Sequence, residues 1–271
     1  MSCKNYMNSF ARKIIFPGPA EKLLFLFSAL VLVMTDHTQA QSYWHGTTIA
    51  IVKINEEIVV GADSKERGGG GALGNDRLGC KIKQVGTLFF TTLGLTAYTT
   101  TRFSIDEVVA KALGTPGALS AKVYAFEKII GDPIALAAQT IYRTQRREFD
   151  AHFRDKNGLA VLFFGVEKEV VSLYVRQFLF SVTVDDRVIV TPVRDDCLAG
   201  CQIREIFGHK QAIVAYLAKN PGFKRETFAD EVRDLIAVEI SSGNLEVGFP
   251  IDIVRLTKNK IEWVQKKDAC R

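Results

Sequence analysis

Residues 43–65 read YWHGTTIAIVKINEEIVVGADSK, two β-branched apolar runs on either side of Asn55-Glu56. Runs of Val, Ile and Thr bounded by turn residues predict strands, and this pair predicts a hairpin turning at Asn55-Glu56. Residues whose numbers sum to 110 or 111 then face each other, so Asp63 lies beside Thr47 or Thr48. One residue of register decides between the two, because a single-residue slip turns every side chain to the other face. Either way a carboxylate meets a threonine hydroxyl at the open end of the hairpin. After the glycine-rich loop RGGGGALGNDRLG, Cys80-Lys81-Ile82 begins the next strand and brings an ammonium to the same end.

Those three groups suit one kind of chemistry. A threonine hydroxyl is a poor nucleophile until a base takes its proton. As the first residue of a mature chain, Thr47 would carry its own base, an α-amine of reference pKa about 8. A nearby Lys81 ammonium lowers that amine's pKa and keeps part of it neutral, while Asp63 holds the lysine charged and in place. Gly46 fits the same scheme, since glycine ahead of the nucleophile permits the tight backbone that self-cleavage requires.

The 271 residues are 47% apolar, with 35 basic against 30 acidic side chains, which predicts a globular protein with one substantial core. The basic residues are scattered rather than striped, so nucleic acid is not an expected partner. Residues 1–40 differ from the rest. Lys4, Arg12, Lys13 and Lys22 lead into LLFLFSALVLVM, and Thr38-Gln39-Ala40 supplies small residues at cleavage spacing, the pattern of a secretory signal peptide. Twelve apolar residues make about 18 Å of helix where a bilayer core needs about 30 Å, so no stable membrane anchor is expected. The expected location is secreted or periplasmic. Removing residues 1–40 takes away four basic and two acidic side chains and lowers the formal charge from +5 to +3. It leaves QSYWHG, residues 41–46, as a short propeptide ahead of a single domain at 47–271.

Cys80, Cys197, Cys201 and Cys270 remain, and in an oxidising compartment they can pair in three ways. Cys197 and Cys201 are within reach of each other if their segment is helical. No second Cys pair or His pair stands at ligand spacing, so neither a metal nor any cofactor is expected. Trp44, His45 and the four-glycine run carry no assigned role.

Further strands are predicted at KIKQVGT, LFFTTLGL, LAVLFFGV, VVSLYVRQ, FLFSVTV and RVIVTPV. SIDEVVAKALG reads as a helix capped by Ser104 and stopped at Gly114. Residues 120–150 read as two helices, or one with a kink, about Gly131-Asp132-Pro133. Helices are also predicted at about 202–217 and 225–239, with PIDIVRLT and KIEWVQK as a closing hairpin. Strands, helices, strands, helices, strands, with little β-α-β alternation, point to an α+β sandwich of antiparallel sheets layered with helices.

GTTIAIVKINEEIVVGADSK, CKIKQVG and TTLGLTAY, with AVEISSGNLEVGFPIDIVRLT near the end, resemble proteasome β-subunits and related threonine peptidases of the N-terminal nucleophile class. The resemblance implies a four-layer αββα sandwich of two antiparallel sheets between helix layers. It implies Thr47 as nucleophile and base, Asp63 and Lys81 as its charged partners, and Glu239 and Ser242 as the late acid and serine. The oxyanion-hole glycine falls on Gly94 with a one-residue gap, or on Leu95 by straight counting. Glu239 stands where the family usually has aspartate, and FGHKQ, with His209 and Lys210, stands where it has a Ser-Gly loop. The expected activity is hydrolysis of peptides or small amides after a self-cut at Gly46-Thr47, with a homo-oligomeric ring as a possible assembly. The alternative is a non-catalytic subunit acting as a structural or interaction module.

Overall fold

The 49–60 hairpin is apolar on both faces, and that property dictates a layered molecule. The computed structural model describes residues 42–67 and 76–270. The expected signal peptide lies outside the described residues. Strands β1 (Ser42–His45), β2 (Thr48–Ile54), β3 (Glu57–Ala62), β4 (Lys65–Arg67), β5 (Asp76–Leu78), β6 (Ile82–Val85), β7 (Leu88–Tyr98) and β8 (Phe103–Ser104) come first. Helices α1 (Ile105–Leu113), α2 (Leu119–Thr144) and α3 (Arg146–His152) follow. Then come β9 (Lys156–Glu167), β10 (Val170–Val182), β11 (Val188–Cys197), β12 (Ile203–Gly208), α4 (Gln211–Lys219), α5 (Phe228–Ser241), β13 (Asp252–Thr257) and β14 (Lys260–Gln265).

One antiparallel sheet has the order β12-β2-β3-β13-β14, and the other β1-β7-β9-β10-β11 with β6 and β8 also on β7. Ile49, Ile51, Ile58 and Val60 pack between the sheets with Phe89, Leu162 and Phe164. Their neighbours Ala50, Val52 and Val59 pack with Val232 and Ile236 of α5. Strand β9 alternates in the same way: Leu159, Val161 and Phe163 join the core formed with α1, α2 and α3, and Ala160, Leu162 and Phe164 join the inter-sheet core. Strands buried on both faces read as continuous apolar runs, which is why LAVLFF carries no polar residue. The result is the expected order of layers, helix, sheet, sheet, helix.

The hairpin turns at Asn55-Glu56, with Ile54 opposite Glu57 and Ile49 opposite Ala62, so the partners sum to 111. Asn55 takes a positive φ of 54°, which asparagine tolerates better than most residues. Helix α1 begins where Ser104 Oγ accepts from the Glu107 N–H at 3.4 Å and ends on Gly114.

Two elements depart from expectation, and in a third one of two alternatives holds. Helix α2 runs continuously through Pro133, so the single-helix alternative at Gly131-Asp132-Pro133 stands, and a break falls later, at Gln145. An interior proline costs about 3 kcal/mol, but Ile130, Ile134 and Ile141 are fully buried on the same stripe, and each is worth about 1.5–3 kcal/mol. FLFSVTV is not a separate strand but the end of β10. Residues 203–208, expected as helix, form β12, which pairs along β2 from Ile203 opposite Lys53 to Gly208 opposite Thr48. The free edge of β2 supplies hydrogen-bond partners that a helix there would leave unpaired, and only α4 remains of the expected helix.

Both cysteine pairs are bonded, Cys80 to Cys270 and Cys197 to Cys201. The second closes a turn between strands rather than spanning a helical segment. The same turn also satisfies a buried charge, since Lys53 donates from Nζ to the Leu198 and Cys201 carbonyls, each at 2.9 Å. Burial pushes the Lys53 pKa below the ordinary lysine value. Near the other disulfide, buried Lys267 reaches Ser64 Oγ at 2.7 Å and Asp252 Oδ2 at 3.2 Å, fastening the C-terminal segment beside Asp63.

Candidate active site

The register settles which threonine meets the carboxylate. Asp63 N donates to the Thr48 carbonyl at 3.2 Å, and Thr48 N donates to Asp63 Oδ1 at 3.0 Å. Lys81 Nζ donates to the same Oδ1 at 2.8 Å and to the Gly46 carbonyl oxygen at 2.8 Å. Asp63 Oδ2 accepts from Lys65 N and Gly248 N, each at 3.1 Å. The carboxylate thus takes four donors, and the buried lysine is aimed at the carbonyl between Gly46 and Thr47. Thr47, Asp63 and Lys81 are 1%, 0% and 3% exposed, so these charge-assisted bonds act largely out of water.

Thr47 Oγ1 is buried without a hydrogen-bond partner. Buried hydroxyls are nearly always bonded, so this one stands out beside the Gly46 carbonyl that takes the Lys81 ammonium. The Thr47 main chain, by contrast, is fixed. His209 N donates to its carbonyl at 2.9 Å, and Thr48 Oγ1 donates to the His209 carbonyl at 2.8 Å. Gly208, at φ +80°, makes that approach possible, because a Cβ there would overlap the Thr47 carbonyl oxygen.

Gly94, at φ +89°, lies against the Gly158 backbone and pairs across the sheet with His45. It lines the same cleft as Thr47, whereas Leu95 is fully buried in the helix-side core. The cleft, ≈ 670 Å³, also includes Lys156, Gln177, Asp195, Glu205 and Lys210, which gives it a mixed charged lining. Strand β1 occupies part of the β7 edge, from Ser42 opposite Tyr98 to His45 opposite Gly94.

Glu239 and Ser242 sit at the end of α5, and their bonds are made elsewhere. Glu239 Oε2 accepts from Ala212 N at 2.9 Å and Ile213 N at 3.3 Å, capping α4, and Oε1 accepts from Asn244 at 3.3 Å. Ser242 Oγ donates to the Glu239 carbonyl at 2.7 Å. No contact joins either side chain to Thr47 among the described hydrogen bonds.

Two residues without an assigned role stand at the cleft beside Gly46. His209 Nε2 is 2.7 Å from Glu246 Oε2. The hydrogen bond with Glu246 raises the His209 pKa above its ordinary value; burial opposes it, and the charges of Glu246, Glu239 and Asp63 add to it. The FGHKQ motif marked the position of His209. Nothing in the sequence marked Glu246.

No family model matches this sequence, and no curated protein matches it. Solved structures do. The chain is similar to Anbu (ancestral beta-subunit) from Yersinia bercovieri, with 15% identity, 78% of this chain and 81% of that chain covered, and a TM-score of 0.41. It is similar to the Anbu complex of Pseudomonas aeruginosa, described as a helical assembly, with 15% identity, 82% and 88% coverage, and a TM-score of 0.43. Eukaryotic HslV from Trypanosoma brucei is 12% identical over 78% of this chain and 99% of that chain, with a TM-score of 0.38. Residue roles in this chain therefore rest on its own geometry.

Proposed function

We propose that this protein is a threonine-type peptidase or amidase that exposes Thr47 by cutting its own chain after Gly46. The observation that carries the reading is the Lys81 ammonium, held on Asp63 and donating at 2.8 Å to the Gly46 carbonyl oxygen, beside an unpartnered Thr47 hydroxyl. In the self-cut, Thr47 Oγ bonds to the Gly46 carbonyl carbon while the bond from that carbon to Thr47 N breaks. The hydroxyl proton ends on the released amine. Negative charge develops on the oxygen that Lys81 already touches, which is where a fixed donor lowers the barrier. Water then hydrolyses the Gly46 ester, leaving a Gly46 carboxylate and a free Thr47.

The freed amine serves as base for the same hydroxyl in later turnovers on peptides or small amides. An exported chain cleaved after Ala40 retains residues 41–46 until this second cut, and a homo-oligomer is the proposed assembly. One observation favours a non-catalytic module instead: Glu239 and Ser242 are bonded into the α4 cap and the α5 end. Intact mass and N-terminal sequencing of the exported protein separate the two. A chain beginning at Thr47, lost in Thr47→Ala, is the expected result, and wild-type protein beginning at Gln41 refutes the mechanism.

A further inference from the structure

The two disulfides stand in opposite electrostatic surroundings. Lys53, 0% exposed, places its ammonium against the short loop closed by Cys197 and Cys201, donating to the Leu198 and Cys201 carbonyls at 2.9 Å each. Standard bond lengths put that charge no farther than about 7.5 Å from the Cys201 sulfur. Among the described residues no carboxylate pairs with Lys53, and Asp196, which precedes Cys197, is taken by Arg176. At the bond between Cys80 and Cys270 the balance is reversed. Lys267 is paired with Asp252 and Lys81 with Asp63, and Asp252 Oδ2 stands 4.0 Å from the Cys270 sulfur. Reduction yields thiols whose thiolate forms a cation stabilises and a carboxylate opposes. Burial already works against the Lys53 charge, so a thiolate formed beside it relieves the ammonium as well. The loop is also open to attack. Leu198 is 42% exposed, Ala199 and Gly200 are exposed and Cys201 is half-buried, whereas Cys197 packs in the inter-sheet core. The sheet does not depend on this bond, because β12 is laddered to β2 from Ile203 onward.

We propose that the Cys197-Cys201 disulfide is a thiol-exchange site for small thiols of the glutathione class, with Lys53 stabilising the thiolate that exchange releases. The incoming thiolate bonds to Cys201 Sγ, the half-buried sulfur, while the bond to Cys197 breaks and its electron pair leaves on Cys197 as a thiolate. The first product is a mixed disulfide on Cys201. A second small thiol attacks the added sulfur, which releases Cys201 and forms the disulfide of the small thiol. Two electrons thereby pass to the protein, and the protons of the two small thiols end on Cys197 and Cys201. The exchange makes no use of Thr47 and does not rest on the hydrolase reading.

Glutathione is the probe. The chain carrying Thr47→Ala, which keeps one covalent form, is equilibrated in buffers of rising [GSH]²/[GSSG], quenched with acid, alkylated and mapped by peptide mass. The Cys197-Cys201 bond is half-reduced at a value about a hundredfold below that of the Cys80-Cys270 bond, about 60 mV by the two-electron constant. Adding Lys53→Met raises the Cys197-Cys201 value by about tenfold, while Lys53→Arg, which keeps a cation, stays within about threefold of the parent. The glutathione adduct trapped during exchange lies on Cys201, and tryptophan fluorescence stays native through this first transition. The comparison of the two bonds within one chain needs no substitution at Lys53, so it decides even where Lys53→Met does not fold. Equal values for the two disulfides, an unchanged value in folded Lys53→Met, an adduct on Cys197, or loss of native fluorescence as the Cys197-Cys201 bond opens overturns the proposal.

Discussion

Asp63→Asn keeps the shape of the side chain and removes its charge, and the structure sets what that costs. One oxygen of the carboxylate accepts from Lys81 and Thr48, the other from Lys65 and Gly248. An asparagine oxygen can serve only one of those pairs, so its amide N–H groups must face donors at the other. The Lys81 ammonium, whose side chain is 1% exposed, loses its countercharge in a place where water cannot replace it. Stranding one partner of a buried pair costs about 3–5 kcal/mol, a large part of the roughly 5–15 kcal/mol that holds a typical domain together. Urea unfolding followed by tryptophan fluorescence, in a Thr47→Ala background that keeps the chain in one covalent form, measures it. The expected loss is about 3–5 kcal/mol, and adding Lys81→Met recovers about 2 kcal/mol or more because no buried charge is then unpaired. A loss below about 1 kcal/mol, or single losses that simply add, refutes the account of this carboxylate as the hub of the site.

Two further outcomes follow from groups away from Thr47. Lys53 has a lowered folded-state pKa, so the unfolded chain binds more protons between that value and the ordinary one of 10.5; stability rises with pH through this window, and Lys53→Met removes the rise in urea titrations. Cys80→Ser with Cys270→Ser opens a covalent loop spanning 190 positions, for which chain entropy predicts a loss of about 5 kcal/mol, whereas Cys197→Ser with Cys201→Ser opens a four-position loop and loses about 2 kcal/mol; chemical unfolding of the two variants checks the order.

The legible part of the site was its local part. Thr48 and Asp63 meet through a two-residue turn, which sets Asp63 one residue from Thr47, and Lys81 directly precedes β6, so short-range pattern was enough to bring the three to one end of the hairpin. The choice between Thr47 and Thr48 rested on one residue of register, which alternation cannot fix when both faces of the hairpin are buried. His209 and Gly248 reach the site across 161 and 185 positions, and no periodicity encodes such contacts. Residues 203–208 read as helix because Ile206 and Phe207 also suit the spacing of α4. Pairing with β2 decided otherwise, as tertiary context does for short amphipathic runs. The cysteines were visible as candidates, but their connectivity depended on where the chain's end returns, beside the loop that precedes Lys81.

The dependence of Asp63 on Gly248 also has a consequence for the order of synthesis. A ribosome that has made residues 1–247 has already delivered Thr47, Asp63 and Lys81, yet the carboxylate lacks one of its four donors, and β13, which pairs with β3 from Asp252 to Thr257, has not emerged. Contacts of such long sequence separation form late. The four-donor arrangement around Asp63 is therefore complete only once residue 248 has been made, so that a product stalled before it carries Thr47, Asp63 and Lys81 without the full set of bonds that holds them.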